Sequence, residues 1–175
     1  MNRVPHRNRQ SQAGFTLVEV LVVVTVVGVL LAASIPVAQT GVERLTFNSA
    51  AREVGAEIRA ARYAAVAKNR TEVLRFNCPN PREYRMVEFT ATAAIDDAAD
   101  RCSSAVYPYP DPNPGVAPDT DGPVRYLPQG VTFSQSSSLA FAATGRIPAV
   151  STIEVTNGRQ TRTITVLASD RVVEQ

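Results

Sequence analysis

Tryptophan is absent from the chain, and histidine occurs once, at His6. A lone histidine in the first residues excludes Ser/His/Asp and Cys/His catalytic arrangements in everything that follows. Two cysteines and one histidine are too few ligands for a zinc site, and no Walker or dinucleotide glycine pattern appears. No enzyme, metal or cofactor is therefore expected. Charge is missing too, but locally: none of the 23 residues from Val20 to Val42 carries one.

As a helix that uncharged run would measure roughly 35 Å, enough for a hydrocarbon core of about 30 Å. Arg3, His6, Arg7 and Arg9 precede it, with no acid before Glu19. Such a flank keeps the N-terminus in the cytoplasm and sends the rest across. A secretory signal peptide cut near Ala38 would have a shorter apolar region and no place for Glu19. A plain single-pass anchor fits the length. Neither reading explains why Gly14 and Glu19 bracket the start of the run. A carboxylate there costs roughly 2.5–3.5 kcal/mol on insertion scales, so it asks for a partner.

The segment Gly14-Phe15-Thr16-Leu17-Val18-Glu19-Val20-Leu21 resembles the processing site of type IV prepilins and type II secretion pseudopilins. The resemblance implies that a membrane aspartyl peptidase cuts between Gly14 and Phe15 and then methylates the new Phe15 amine. Pro36 falls where these proteins commonly carry a helix-kinking proline. Glycine before the cut brings no side chain into a tight active site. In a filament, Glu19 of one subunit would pair with the Phe15 amine of its neighbour, as the resemblance implies. Removing one partner of such a low-dielectric pair costs several kcal/mol, which makes it a register device.

The expected fold class is α+β: a long N-terminal helix packed on an antiparallel β-sheet head. Four segments are expected. They are a basic leader at 1–14, a membrane-spanning half-helix at 15–42, an amphipathic half at 43–69, and a periplasmic β-rich head at 70–175. The whole chain is formally +2. Loss of the leader removes three arginines and leaves 15 bases against 16 acids, so the basic pI says nothing about nucleic acid. Cys78 and Cys102 both lie beyond the apolar run, in turn-like sequence. An exported location makes a disulfide the expectation, with two buried free thiols as the alternative.

Beyond the membrane, Leu45, Ala50, Val54, Ile58, Ala61 and Ala65 recur near helical spacing. That stripe should face the sheet, with Tyr63 and Val66 near its edge. Pro36 and Gly41 are places where the upper membrane segment could bend. Residues 71–76 and 84–89 predict a hairpin around the Cys78 turn. Six prolines between residues 93 and 123 rule out a central strand or helix there, so this stretch predicts a surface excursion. Glu83 to Asp121 holds eight acids and two bases. Asp119-Thr120-Asp121-Gly122 loosely resembles the start of a calcium loop, but the rest of that pattern is missing. A solvated acidic loop is the expectation.

Further strands are expected at 124–127, 131–134, 139–142, 152–156 and 162–167, with a short one at 171–173. Asn157-Gly158 marks a hairpin. This block resembles the head of the GspH/FimT group of minor pilins, through Phe141-Ala142-Ala143-Thr144-Gly145-Arg146, the 152–166 hairpin and the tail Asp170-Arg171-Val172. Such tails usually have glycine where this chain has Asp170. The resemblance implies a minor subunit of a type II secretion pseudopilus, acting in filament initiation or tip assembly and protein export. The alternative is a type IV pilus minor pilin acting in pilus biogenesis or DNA uptake. Implied partners are the prepilin peptidase/methylase, other pilins or pseudopilins, an inner-membrane assembly platform and secreted cargo. The implied location is the bacterial inner membrane with the head in the periplasm. DNA contact would use Arg159, Arg162 and Arg171 without sequence preference. Alternation of arginine with Thr161 and Thr163 is also what a solvated sheet face looks like, and no aromatic platform accompanies it.

Overall fold

The computed structural model describes residues 15–136, 138–168 and 172–174, without the side chains at 36–38, 135, 136 and 174. The chain divides into two compact units between Glu43 and Arg44. Helix α1 (Leu17–Lys68) is assigned without a break through Pro36 and Gly41, so neither residue interrupts it.

In the first unit the described side chains are exposed, including Leu17, Val29 and Leu31. The hydroxyls of Thr25 and Ser34 donate to the carbonyls of Val22 and Leu31, both at 2.8 Å. A hydroxyl satisfied within its own helix needs no water, which suits an apolar surrounding. By length and composition this stretch is able to cross a membrane.

In the second unit, α1 presents Phe47, Ala50, Val54, Ile58, Ala61 and Ala65 to a core formed by two antiparallel sheets. The stripe begins at Phe47, not at the expected Leu45, which is 71% exposed. Phe47, Ala50 and Val54 keep the i, i+3, i+7 spacing of one helix face, and Leu45 falls off it. Tyr63 and Val66 are exposed. The helix ends where Asn69 takes a positive φ of 51° and the Arg70 N–H donates to the Ala65 carbonyl at 3.1 Å. That is a Schellman-type stop, which closes the last turn's carbonyls.

The first sheet has strand order β3-β2-β1-β5, from β1 (Glu72–Phe76), β2 (Glu83–Glu88), β3 (Arg125–Tyr126) and β5 (Leu139–Phe141). The second has order β4-β6-β7-β8, from β4 (Thr132–Ser136), β6 (Ser151–Thr156), β7 (Thr161–Val166) and β8 (Val172–Glu174). The late strands thus do not form one block. β3 pairs with β2 and β5 with β1, while β4 joins β6. Val124–Leu127 and Val131–Ser134 flank Pro128-Gln129-Gly130 without forming a hairpin, because they enter different sheets. Burial of Ile58, Ile153 or Phe141 contributes about 1.5–3 kcal/mol each.

The β6–β7 loop is Asn157 to Gln160. The Asn157 side chain accepts from the N–H groups of Arg159 and Gln160 at 3.0 and 2.8 Å, and Gly158 takes φ +80°. This is the Asx-type turn that asparagine followed by glycine favours. Gly145, also left-handed at φ +77°, approaches α1 so closely that a Cβ would meet Val66 Cγ2 at 2.9 Å.

The stretch from residue 93 to 123 departs most from expectation. It contains a short helix, α2 (Ala93–Asp96), and it covers the outer face of the first sheet. Asp97 and Asp100 are exposed as expected, but other acids of the 83–121 stretch are not solvated. Glu88, Asp96 and Asp121 are all buried, together with Arg85 and Arg101. The reason lies in the β1–β2 register, which sets Arg75 opposite Arg85 and Glu72 opposite Glu88. Like charges directly opposite destabilise a sheet unless each finds a partner. The excursion and its borders supply those partners.

Candidate functional site

The N-terminal site begins at Phe15, which precedes the helix and is 81% exposed. Thr16 is the N-cap. Its Oγ1 accepts from the Glu19 N–H at 3.2 Å, and its carbonyl accepts from the Val20 N–H at 3.2 Å. Thr16-Leu17-Val18-Glu19 therefore has the spacing of a capping box, a second meaning of the motif that sequence reasoning missed. The signal was present as threonine followed three residues later by glutamate. The cap starts the helix at Leu17, leaving Phe15 outside it. The exposed Glu19 carboxylate in the first turn also suits the positive end of the helix dipole. Gly14, on the other side of the expected cut, lies outside the described residues.

Cys78 and Cys102 are joined by a disulfide, with Cα atoms 5.5 Å apart. It ties the β1–β2 turn to the excursion. Next to it, Arg101 bridges Asp121. Its Nη1 contacts Oδ2, and its Nη2 donates to Oδ1 at 2.7 Å and to the Glu88 carbonyl at 2.8 Å. The guanidinium also lies 4.6 Å from the centroid of the Tyr107 ring. Arg85 donates to four carbonyls of the excursion: Gly122 at 2.7 Å, Cys102 at 3.2 Å, Ser103 at 3.3 Å and Tyr107 at 2.6 Å. Burial lowers its pKa, Asp121 opposes that shift, and Arg101 adds to it. The only two bases in an acidic stretch thus became its fully buried clamps.

At the end of α1, Lys68 donates to Glu72 at 3.1 Å, and Arg70 reaches Glu88 at 2.8 Å and Asp119 at 2.6 Å. Burial raises the Glu72 pKa despite Lys68 and Thr120. The Gly115 N–H, with Arg70, lowers that of Asp119. Asp119 and Asp121, the heart of the calcium-like sequence, are thereby committed to arginines and backbone amides. Among the described residues no cluster of three or more His, Cys, Asp or Glu is arranged to hold a metal.

Of the three arginines singled out at the C-terminal end, Arg159 and Arg162 are among the described residues. Arg162 lies on the helix-facing side of β7, where its Nη2 donates to Asn48 Oδ1 at 3.2 Å. Its in-register partner is the buried Val155, which explains that orientation. Arg162 is nonetheless exposed. Arg159 is in the β6–β7 turn. Arg171 and Asp170 lie outside the described residues.

A family model described as a prokaryotic N-terminal methylation motif matches residues 9–35. Among solved structures, the type IV minor pilin FimU of Pseudomonas aeruginosa strain PAO1 has a similar fold. Its P21 crystal form gives a TM-score of 0.52 at 20% identity, over 76% of this chain and 90% of that one. The P65 form gives 0.47 at 17% identity, over 73% and 91%. The minor pseudopilin EpsH of the Vibrio cholerae type 2 secretion system gives 0.46 at 12% identity, over 73% and 93%. No curated protein sequence matches the chain. The motif is that of prokaryotic N-terminal methylation, and the fold, a long N-terminal helix followed by antiparallel sheets, is similar to that of the minor pilin FimU.

Proposed function

We propose that the chain is a minor pilin-like subunit of the GspH/FimT kind, working in a type II secretion pseudopilus at filament initiation or the tip. The role is mechanical. Residues 15–42 hold the subunit in the inner membrane, and an assembly platform extracts it into the filament. The head, in the periplasm, then meets neighbouring subunits and exported cargo. The observation that carries this reading is the start of α1. A threonine cap leaves Phe15 outside the helix and exposed, sets Glu19 in the first turn, and opens an exposed apolar helix.

Cleavage between Gly14 and Phe15 frees an amine next to that first turn. N-methylation keeps the amine cationic. Glu19 of the neighbouring subunit then neutralises it inside the filament, where an unpaired charge is costly. Mass spectrometry of the chain from its native host should show an N-methylated Phe15 terminus. A bulky residue at Gly14 should leave the chain uncut. An uncut, unmethylated chain in the unmodified host refutes the reading. Glu19→Val should be cleaved normally yet enter filaments poorly, and normal incorporation removes the salt-bridge role.

A second reading is a type IV pilus minor pilin, acting in pilus biogenesis or DNA uptake. It is supported by the likeness to FimU, itself a type IV minor pilin, and by the arginines of the β6–β7 hairpin. A deletion strain separates the two. Loss of exoprotein secretion with normal twitching and transformation favours the pseudopilus, and the reverse pattern favours the pilus.

A further inference from the structure

Glu72 opens β1 and Glu88 closes β2, and the sheet register sets these two acids opposite each other. Both are buried, Glu72 completely. The Thr120 hydroxyl, near the far end of the excursion, lies between their carboxyl groups. Its Oγ1 is 3.0 Å from Glu72 Oε1 and 3.2 Å from Glu88 Oε2. Lys68, at the end of α1, donates to Glu72 Oε1 at 3.1 Å and to the Thr120 carbonyl at 3.0 Å. Arg70 donates to Glu88 Oε1 at 2.8 Å and to Asp119 at 2.6 Å. Asp121 accepts from the Glu88 N–H and is held by Arg101. On β5 the register neighbour of Glu72 is the apolar Phe141.

A hydroxyl has one proton to donate, and it also accepts. With both carboxyl groups ionised, one of the two Thr120 contacts would join oxygen to oxygen with no hydrogen between them. Glu88 has donors besides that hydroxyl: Arg70 on Oε1, and the N–H groups of Asp119 and Thr120 on Oε2 at 2.9 and 3.3 Å. Glu72 has Lys68 on Oε1, and among the described residues its buried Oε2 has no hydrogen-bond partner. The carboxyl that is short of donors is the one stabilised by a proton of its own. Both contacts then become hydrogen bonds running one way: Glu72 Oε1–H donates to Thr120 Oγ1, and Thr120 Oγ1–H donates to Glu88 Oε2. Glu72 Oε2 becomes a neutral carbonyl oxygen, which costs less to bury unpaired than a charged one. Burial raises the Glu72 pKa in the same sense, Glu88 adds to it, and Lys68 opposes it.

We propose that Glu72, Thr120 and Glu88 form a proton-held latch, which fastens the far end of the proline-rich excursion to the first sheet and loosens when Glu72 gives up its proton. The proton passes to solvent and no other covalent bond changes. Once Glu72 is ionised, Thr120 keeps only one of its two carboxylates, and buried like charges face each other across β1 and β2. The loss falls on Asp119 and Thr120, whose N–H groups converge on Glu88 with the Thr120 hydroxyl. Arg85 and the disulfide hold the excursion at Cys102 and Tyr107, so the release is confined to its far end. The latch is closed in acid and opens as pH rises, and the head thereby reads the pH around it.

The test uses the full chain in micelles with carboxyl-labelled glutamate, titrated by NMR. Glu72 is identified as the resonance missing from Glu72→Gln. Its midpoint should lie above the ordinary 4.5. Thr120→Val should bring that midpoint down, because the acid proton loses its acceptor. If Thr120 only donated to an ionised Glu72, the same variant would raise the midpoint, and that result, or an unmoved midpoint, overturns the proposal. Thr120→Ser keeps the hydroxyl and should keep the midpoint of the unmodified chain. Hydrogen exchange at the Asp119 and Thr120 amides reads the latch itself, as protection relative to free peptide at each pH. Protection should fall as pH passes through the Glu72 midpoint, by up to about tenfold for each pH unit separating that midpoint from 4.5. Glu72→Gln, whose amide donates to Thr120 at any pH, should hold protection flat. Flat protection in the unmodified chain, or a fall that persists in Glu72→Gln, overturns the latch even where Glu72 holds its proton.

Discussion

Replacing Asp121 with alanine tests the clamp under the proline-rich excursion. Asp121 is 7% exposed, while Arg101 and Arg85 are 1% and 0% exposed. Its two oxygens meet both terminal nitrogens of Arg101, and Oδ1 also accepts from the Glu88 N–H at 2.8 Å. Arg85 is 3.9 Å away. Alanine leaves the Arg101 guanidinium buried with a single carbonyl acceptor and the Glu88 amide unpaired. Removing one partner of a buried ion pair costs about 3–5 kcal/mol. The orphaned amide adds about 1–3 kcal/mol, partly the same desolvation counted again. An expected loss of about 3–5 kcal/mol is a fifth or more of an ordinary domain's 5–15 kcal/mol. Arg85 should survive, because four carbonyls hold it. The assay is urea unfolding of the full chain in micelles, followed by near-ultraviolet circular dichroism of the tyrosines. Tyr107 lies against Arg101, so its signal reports the clamp directly. The double variant Arg101→Met/Asp121→Leu removes both charges together and should be less destabilised than Asp121→Ala alone. A loss under about 1 kcal/mol, or a double variant worse than the single, would refute the reasoning.

Three further outcomes follow from the same geometry. Glu72 has a raised pKa in the folded head, so its contribution is fully present below the ordinary value of 4.5 and is lost as pH rises through the raised one. Glu72→Gln should flatten that fall in a pH series of thermal melts, and an unchanged slope would remove Glu72 as its source. The lowered pKa of Asp119 acts in the opposite sense, its contribution disappearing as pH falls below 3.8. Opening the disulfide with Cys78→Ser and Cys102→Ser frees a loop with a sequence separation of 24, which costs about 3 kcal/mol in chain entropy. Proteolysis of the variant should begin within residues 93–123, and cutting elsewhere first would contradict the clamp. Gly145→Ala places a Cβ 2.9 Å from Val66 Cγ2 at a left-handed φ and should cost about 1–3 kcal/mol in a chemical melt. Val66→Ala in the same chain should restore part of it.

Much of the fold follows from local pattern. The uncharged run, the helical stripe and the Asn157-Gly158 turn act through neighbouring residues, so spacing alone identifies them. The stripe was misplaced only at its first member, where Phe47 takes the buried site assigned to Leu45. Strand partners were less legible. Leu139–Phe141 could pair with any strand of similar pattern, and only the core decides that it joins β1. The acidic stretch misled for a related reason. Composition records eight acids and two bases, but not that Arg85 on β2 holds the loop's carbonyls while Arg101 within the loop clamps Asp121.

The N-terminal motif belongs to the sequence alone. The proposed cut site, the cap and the first-turn acid lie within six residues, so local chemistry specifies them before any fold exists. The roles of the remaining charges were decided by tertiary structure. Arg85 and Arg101 became buried clamps, while Arg162 was brought from β7 to Asn48 on α1. The physical reason is that charge energies depend on distance and burial, and those are set by β-sheet register and helix packing across long separations in the chain.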